Sequence, residues 1–337
     1  MELMKIESTT KQEGALAVAI KDYLKTKGWN IIVQPMPGEP NRSNILATRL
    51  HYDEGGPRIL FNTHLDTVPP YIPPTTDGKF IYGRGSNDAK GQIASMIFAI
   101  QKIAENHPEY AEDIGLLLVV GEETDHVGMK EANKLNLKPE FLIVGEPTEM
   151  KFAHAQKGAV KVRFDSNGIA AHSGYPHMGD SAVHKLIDVL HDLLKHKWPS
   201  SPELGETTIN VGLINGGQAV NALAEKATAS IAIRNTYPAK EVLETVKKLV
   251  NKRVEIGDVG MNDPVILTKP PPPFESVPVA FNTDIPYFDY RNHLKGCFLF
   301  GAGSITNAHS MSEFISIEEL EKSVDVHVDL ALKLLRK

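Results

Sequence analysis

Cysteine is almost missing: Cys297 is the only one in 337 residues, so no disulfide can form within the chain and its stability must come from packing, bound metal or association. Basic residues are in the minority. Thirty-six Lys and Arg against 42 Asp and Glu leave a formal net charge of -6, which provides no general field for a nucleic acid. No apolar run approaches the ~20 residues that span a bilayer, since even the stretch 114–120 is stopped at Gly121 by two acids. The first residues lack the basic head, apolar core and small-residue cleavage site of a signal peptide. Neither nucleic acid nor membrane is an expected partner, and the lone cysteine favours a reducing, cytoplasmic compartment. A precursor with a leader upstream would make secretion the expectation instead.

What is present is the composition of a globular enzyme, 42% hydrophobic and 23% charged. The length exceeds one ordinary core of ~100–150 residues, so two domains are expected. Leu16, Ala19, Ile20, Tyr23 and Leu24 recur at helical spacing and Gly28 follows as a stop, which predicts an opening helix. Short β-branched or apolar segments at 31–33, 44–48 and 58–62 predict strands, 91–103 a helix, and the apolar runs 116–120 and 141–144 central strands covered on both faces. Alternating strands and helices imply an α/β layered domain. After Lys157 the texture becomes β-α-β-β-α, with a further strand expected at 253–256, the order of a small antiparallel sheet with helices on one face. We therefore assign residues 1–157 and 264–337 to a catalytic domain and 158–263 to an inserted α+β domain.

The chemistry-bearing residues cluster at the ends of these strands. His64-Leu65-Asp66 follows an apolar strand, and a metal-bound imidazole commonly donates its second N–H to an acceptor such as Asp66; a solvated turn ahead of Pro69 and Pro70 is the bland alternative. The glycine-rich stretch 82–91 has Asp88 where a dinucleotide fingerprint needs glycine, and no Gly-Lys-Ser/Thr triplet for a phosphate loop. Asp88 is instead placed to offer a carboxylate to a cation, or to cap the following helix. Glu122 and Glu123, adjacent at the end of a buried strand, repel each other unless a cation or a task retains them. One acid can bind metal while its neighbour, raised in pKa, works as a base. Glu146 ends another central strand, and His309 follows an apolar stretch near the carboxyl terminus, a position that by itself is equally that of a loop histidine.

Taken in order, His-x-Asp at His64, Gly-Arg-Gly-x-x-Asp-x-Lys-Gly from Gly83, Gly-Glu-Glu from Gly121, Gly-Glu-Pro-Thr from Gly145 and Ala-His-Ser from Ala308 with Glu313 resemble the dizinc metallopeptidases and deacylases. That group includes acetylornithine deacetylase, succinyl-diaminopimelate desuccinylase, aminoacylase and carboxypeptidase-like proteins, and the texture is nearest to fungal carboxypeptidase-like members. The resemblance covers nearly the whole chain. It implies a three-layer α/β zinc-peptidase catalytic domain with an inserted ferredoxin-like lid that pairs two subunits into a homodimer. It implies two divalent ions, zinc with cobalt or manganese as alternatives, bridged by Asp88, with His64 and Glu146 completing one site and Glu123 and His309 the other. Glu122 is then the general base, assisted by Asp66 and by His172, which would polarise the scissile carbonyl in a partner subunit's site. Tyr175, Asn221 and Arg234 resemble substrate contacts, although the family's Asn-x-Ile-Pro reads Asn221-Ala222-Leu223-Ala224 here. The implied activity is hydrolysis of an amide in a small carboxylate-bearing or short peptide substrate, as a carboxypeptidase or dipeptidase. An N-acyl-amino-acid deacylase, and a non-catalytic dimeric binding protein, are the alternatives.

Overall fold

The computed structural model describes residues 1–50 and 55–336. They form two compact units: Met1–His154 with Leu267–Val277 and Thr283–Lys337, and Ala155–Ile266 with Pro278–Asn282. Among the described residues no helix is long and apolar enough to cross a membrane.

Along the first unit come α1 (Gly14–Thr26), β1 (Asn30–Met36), β2 (Glu39–Thr48), β3 (Ile59–His64), α2 (Lys90–Asn106), β4 (Ile114–Val119), α3 (Val127–Ala132), β5 (Phe141–Val144) and β6 (Phe152–Gln156). The second unit contains β7 (Ala159–Asn167), α4 (Ala182–Lys195), β8 (Thr208–Gly216), β9 (Lys226–Arg234), α5 (Ala239–Val250) and β10 (Glu255–Asn262). The chain then returns to the first unit with β11 (Gly296–Leu299) and α6 (Ile317–Leu335).

The sheet of the first unit runs β1-β2-β4-β3-β5-β11-β6. Its centre is parallel, β4 with β3, β3 with β5 and β5 with β11, while β1, β2 and β6 add antiparallel edges. Every residue of β3 and β4 is buried, which is why β4 reads as an almost continuous apolar run and β3 opens on three apolar residues, Ile59 to Phe61, rather than alternating. Helix α1 buries Leu16, Ile20 and Leu24, four residues apart on one stripe. Helix α2 is buried on most sides, and its Ser95 Oγ meets Ser323 Oγ at 2.6 Å and His327 Nδ1 at 3.1 Å on α6. Because the central strands are parallel, their carboxyl ends emerge at one edge of the sheet, where ligand sites of such sheets gather.

In the second unit an antiparallel sheet, ordered β8-β9-β7-β10, packs Val160, Val162, Phe164, Ile231 and Ile233 with Leu186, Val189 and Leu193 of α4 and Val242 and Val246 of α5. The alternation of β9, buried at every second residue, follows from helices covering one face. Strand β8 is an edge and leaves Leu213 and Ile214 exposed at 70% and 62%.

Two details depart from the reading of the sequence. The strand expected at 253–256 starts only at Glu255, because Asn251 and Lys252 take φ of 45° and 58° and Arg253 N–H closes a turn on Val250 O at 3.0 Å. A small sheet of Thr75–Thr76, Phe80–Tyr82 and Phe314–Ser316 was not anticipated, since strands of two or three residues carry no periodic signal.

Candidate metal centre

Five chain segments meet at the carboxyl edge of the parallel strands, and each delivers an ionisable group. His64 is the last residue of β3, and its Nε2 lies 3.0 Å from Asp88 Oδ1 and 3.7 Å from Glu146 Oε1. Glu122 and Glu123 sit in the turn after β4, entered through Gly121 at φ 74°, where a Cβ would come within 2.9 Å of Val127 and 3.1 Å of Arg42. Glu146 follows β5. His309 comes from the loop after β11, and its Nε2 reaches Asp88 Oδ2 at 3.2 Å and Glu123 Oε2 at 3.0 Å. The two oxygens of Asp88 thus face one histidine each, and the peptide after it, to Ala89, is cis.

Six sequence-predicted residues, His64, Asp88, Glu122, Glu123, Glu146 and His309, are brought together, with Asp66 beside them. Two groups, His64 with Glu122 and Glu146, and His64 with Asp88 and Glu123, have ligand atoms all within 4.8 Å of one another. Asp66 behaves differently from a simple imidazole partner. His64 Nδ1 is nearest the backbone carbonyl of Asp66 at 2.9 Å, with the carboxylate at 3.5 Å. The Asp66 carboxylate accepts from Thr10 Oγ1 at 2.9 Å and from the backbone N–H groups of Glu122 and Glu123 at 3.1 and 3.3 Å, so it anchors the turn that carries both glutamates.

The electrostatics are those of a cluster short of positive charge. Burial pushes the proton affinity of Glu122 and Glu146 well above the ordinary carboxylate value, and the neighbouring acids add to it against the pull of His64. Burial and the Asp88 charge raise Glu123 in the same way. Burial disfavours the His64 imidazolium, yet Asp66, Asp88 and the nearby glutamates override it and hold it well above 6.5. Asp88 and Glu123 lift His309 to about 10. Buried carboxylates are costly without a cation, so the donor set, oxygen and imidazole nitrogen converging in two overlapping groups, fits a pair of borderline divalent ions.

Sequence reasoning missed what holds the ligand loops. Arg84 and Glu313, both fully buried, pair at 2.6 Å. One Glu313 oxygen also accepts the backbone N–H groups of Gly85, Asn87 and Asp88 at 3.0 to 3.1 Å, and Arg84 donates to the carbonyls of Ser310 at 3.2 Å and His309 at 3.5 Å. One ion pair therefore ties the Asp88 loop to the His309 loop. Gly303, at φ 80°, lets the latter pass Asn87, whose Oδ1 would lie 1.8 Å from a Cβ there. Arg84 stands in the Gly-Arg-Gly motif and Glu313 just beyond Ala-His-Ser, so both were in sight, but their pairing across 229 residues was not. His309 itself takes φ 63°, a conformation disfavoured for a side chain and common at functional sites. Substituting Glu313 by Gln should leave Arg84 buried without a counter-charge and cost roughly 3–5 kcal/mol, to be measured by urea denaturation; a loss near zero would mean the staple carries no stability.

His126 is buried, with its Nδ1 2.9 Å from Asp284 Oδ1. Nothing local foretold this, because Asp284 is 158 residues away. In the second unit, His172 bridges Ala222, Ser173 N–H donates to Asn221 O at 3.0 Å, and the His172 and Tyr175 rings are 5.8 Å apart, so three of the expected substrate-side residues share one loop pair. Tyr175 is exposed, and Arg234 ends β9 opposite Thr208.

A mixed α/β unit with acids and histidines converging at its parallel strand ends defines the class of metal-dependent hydrolases. Residues 154–258 match the family model described as a peptidase dimerisation domain, that of the M20 group. A peptidase M20 domain-containing protein of Schizosaccharomyces pombe is 35% identical over 337 residues, covering 99% of this chain and 83% of the relative. A probable carboxypeptidase of Aspergillus niger is 32% identical over 359 residues, covering 96% and 86%. This chain belongs to the M20 family of metallopeptidases. Among solved structures, a tripeptidase from Staphylococcus aureus superposes with a TM-score of 0.80 at 18% identity, covering 98% of this chain and 95% of that one. An M20 family metallo-carboxypeptidase from Sulfolobus solfataricus does so at 0.76 and 18%, covering 98% and 96%. Both likenesses are of fold.

Proposed function

We propose that this chain is an exopeptidase that cleaves the amide bond beside a free carboxylate, acting on dipeptides or on the carboxyl terminus of short peptides. The observation that carries the reading is the convergence of His64, Asp88, Glu123, Glu146 and His309 with Glu122 beside them. Two divalent cations, zinc with cobalt or manganese as alternatives, would be held by those five ligands and when bound would supply Lewis-acid activation of water and of the amide carbonyl.

The chain's own groups do the rest. Glu122, kept hungry for a proton by burial and by the acids around it, takes one from the attacking water and returns it to the leaving amine nitrogen. Asp66 holds Glu122 and Glu123 in place through their backbone N–H groups and helps orient His64. His172 of the partner subunit donates a hydrogen bond to the developing oxyanion. Arg234, with Tyr175 and Asn221, receives the substrate carboxylate, for which the planar guanidinium fork is suited.

A homodimer is required by this scheme, and the open edge of β8 with exposed Leu213 and Ile214 supports it. Leu213→Lys is expected to convert a dimer to a monomer in analytical ultracentrifugation and to lose turnover with it; a dimer that persists would take that edge out of the interface. Substrate class is tested by comparing dipeptides with N-acetyl amino acids, each with added zinc or cobalt, and with C-terminally amidated controls. Dipeptide turnover at least ~10-fold above that of acetyl amino acids, lost on amidation, is the expected result, a margin of about 1.4 kcal/mol. Preference for the acetyl compounds would make the chain a deacylase, and metal analysis without stoichiometric binding would make it a non-catalytic scaffold.

A further inference from the structure

The mechanism above gives no task to the buried imidazole of His126 in the first unit. His126 precedes α3 in a left-handed conformation at φ 56°, and its own N–H donates to Gly121 O at 2.8 Å, closing the turn that presents Glu122 and Glu123. Its Nδ1 lies between two carboxylates, 2.9 Å from Asp284 Oδ1 and 3.8 Å from Glu122 Oε1. The ring is held on its face as well, stacked on Tyr287 with centroids 4.1 Å apart and planes 19° from parallel. Tyr287 is itself clamped: Asn133 Nδ2 donates to its carbonyl at 2.9 Å, Asn133 Oδ1 accepts from Asp289 N–H at 3.0 Å, and Lys130 Nζ sits 4.9 Å above its ring. Lys130 in turn donates to Asp125 O at 2.7 Å, next to His126.

This is more scaffolding than a loop histidine needs, and the Nδ1 edge that pairs with Asp284 also faces the carboxylate of Glu122. We infer that His126, oriented by Asp284 and Tyr287, is a positioning residue that keeps the Glu122 carboxylate turned toward His64 and Glu146. A glutamate has three side-chain torsions, and Glu122 stands among like charges on Glu123, Glu146 and Asp284. Without a donor between them, Glu122 and Asp284 would face each other directly, and the carboxylate would swing to another rotamer. With His126 present, Asp284 is occupied and Glu122 keeps one orientation. A misplacement of about 1 Å in a reacting group can cost on the order of 100-fold in rate.

The inference rests on Glu122 being the general base, so two kinds of measurement are needed. In the zinc-loaded enzyme, His126→Ala is expected to lower kcat on the order of 100-fold with KM within about twofold and two metal ions per chain retained. His126→Asn, whose amide places a donor near the Nδ1 position, should recover kcat to within ~10-fold of wild type, about 1.4 kcal/mol. Combining His126→Ala with Asp284→Asn removes the opposing charge and should recover part of the loss, a coupling that independent sites would not show. Independently of turnover, a crystal structure of metal-free His126→Ala should show the Glu122 carboxylate displaced while His64, Asp88 and Glu146 stay in place. A kcat within twofold of wild type, an unmoved Glu122, or a loss that follows metal content would overturn the proposal. If His126→Ala does not fold, the kcat and KM of His126→Asn and its own Glu122 position decide the matter. Should Glu122→Gln turn over normally, the base assignment fails instead, and the crystallographic result still tells whether His126 sets that side chain.

Discussion

Replacing Glu122 by Gln is expected to reduce kcat by about 1,000-fold, within the range assigned to a general base, while both metal ions stay bound and the fold is unchanged. Glutamine keeps the shape but can neither accept the proton nor carry the charge. Glu122 differs from its neighbour Glu123 in what it faces: Glu123 contacts His309 at 3.0 Å, whereas Glu122 meets the His126 imidazole at 3.8 Å. Both glutamates are mainly pushed up by burial, but Glu122 is pushed further, with Glu146 and Asp284 adding to it. A carboxylate whose proton affinity is raised well above the ordinary value is matched to transferring a proton. Metal stoichiometry by plasma emission spectrometry and steady-state kinetics on the same sample form the check. Full turnover by the variant would remove Glu122 from the mechanism, and lost metal would reassign it as a ligand.

Metal removal should have the other large effect, and its pH dependence has a definite sign. Glu122, Glu123 and Glu146 hold protons above their ordinary 4.5, so from there upward the folded metal-free chain binds more protons than the unfolded one and stability falls as pH rises. His64 and His309 act in the same direction. Their proton affinity is raised, that of His309 to about 10, so the stability they bring is complete below 6.5 and lost as pH climbs through the folded value. Asp88 is held below 3.8, and its contribution is already complete above that pH. The chelated protein is therefore expected to melt at a clearly lower temperature at about pH 8.5 than at about pH 5.5, and saturating zinc should remove most of that slope. Differential scanning fluorimetry with and without chelator reads this directly. A metal-free melting temperature that rises over this range would mean the acids are not gathered as described.

Much of the site was legible in the sequence because its parts are local. His64 ends a buried strand and Glu122, Glu123 and Glu146 follow others, and these strands announce themselves by short apolar runs such as Ile59 to Phe61 and Phe141 to Val144. Parallel strands then bring their ends together by topology. His309 was weaker as a sequence signal, since its loop has no periodicity and its site depends on contacts to Asp88 and Glu123 from far along the chain. Arg84 with Glu313, Thr10 with Asp66, and His126 with Asp284 were not legible as pairs at all. Each joins side chains at least 56 residues apart, and a hydrogen bond leaves no mark in the spacing of either partner.

From the order of its residues alone, this chain declared an α/β scaffold, a second unit of antiparallel sheet and helices, and the acids and imidazoles of a two-ion hydrolase, since periodicity and motif spacing are properties of neighbours. Which acid is poised to accept a proton, which imidazoles stand among carboxylates that raise their proton affinity, and which loops are stapled together were decided only by tertiary structure. Proton affinity depends on how much water is excluded and on which charges stand within a few ångströms, and both are set by residues that meet only when the chain is folded.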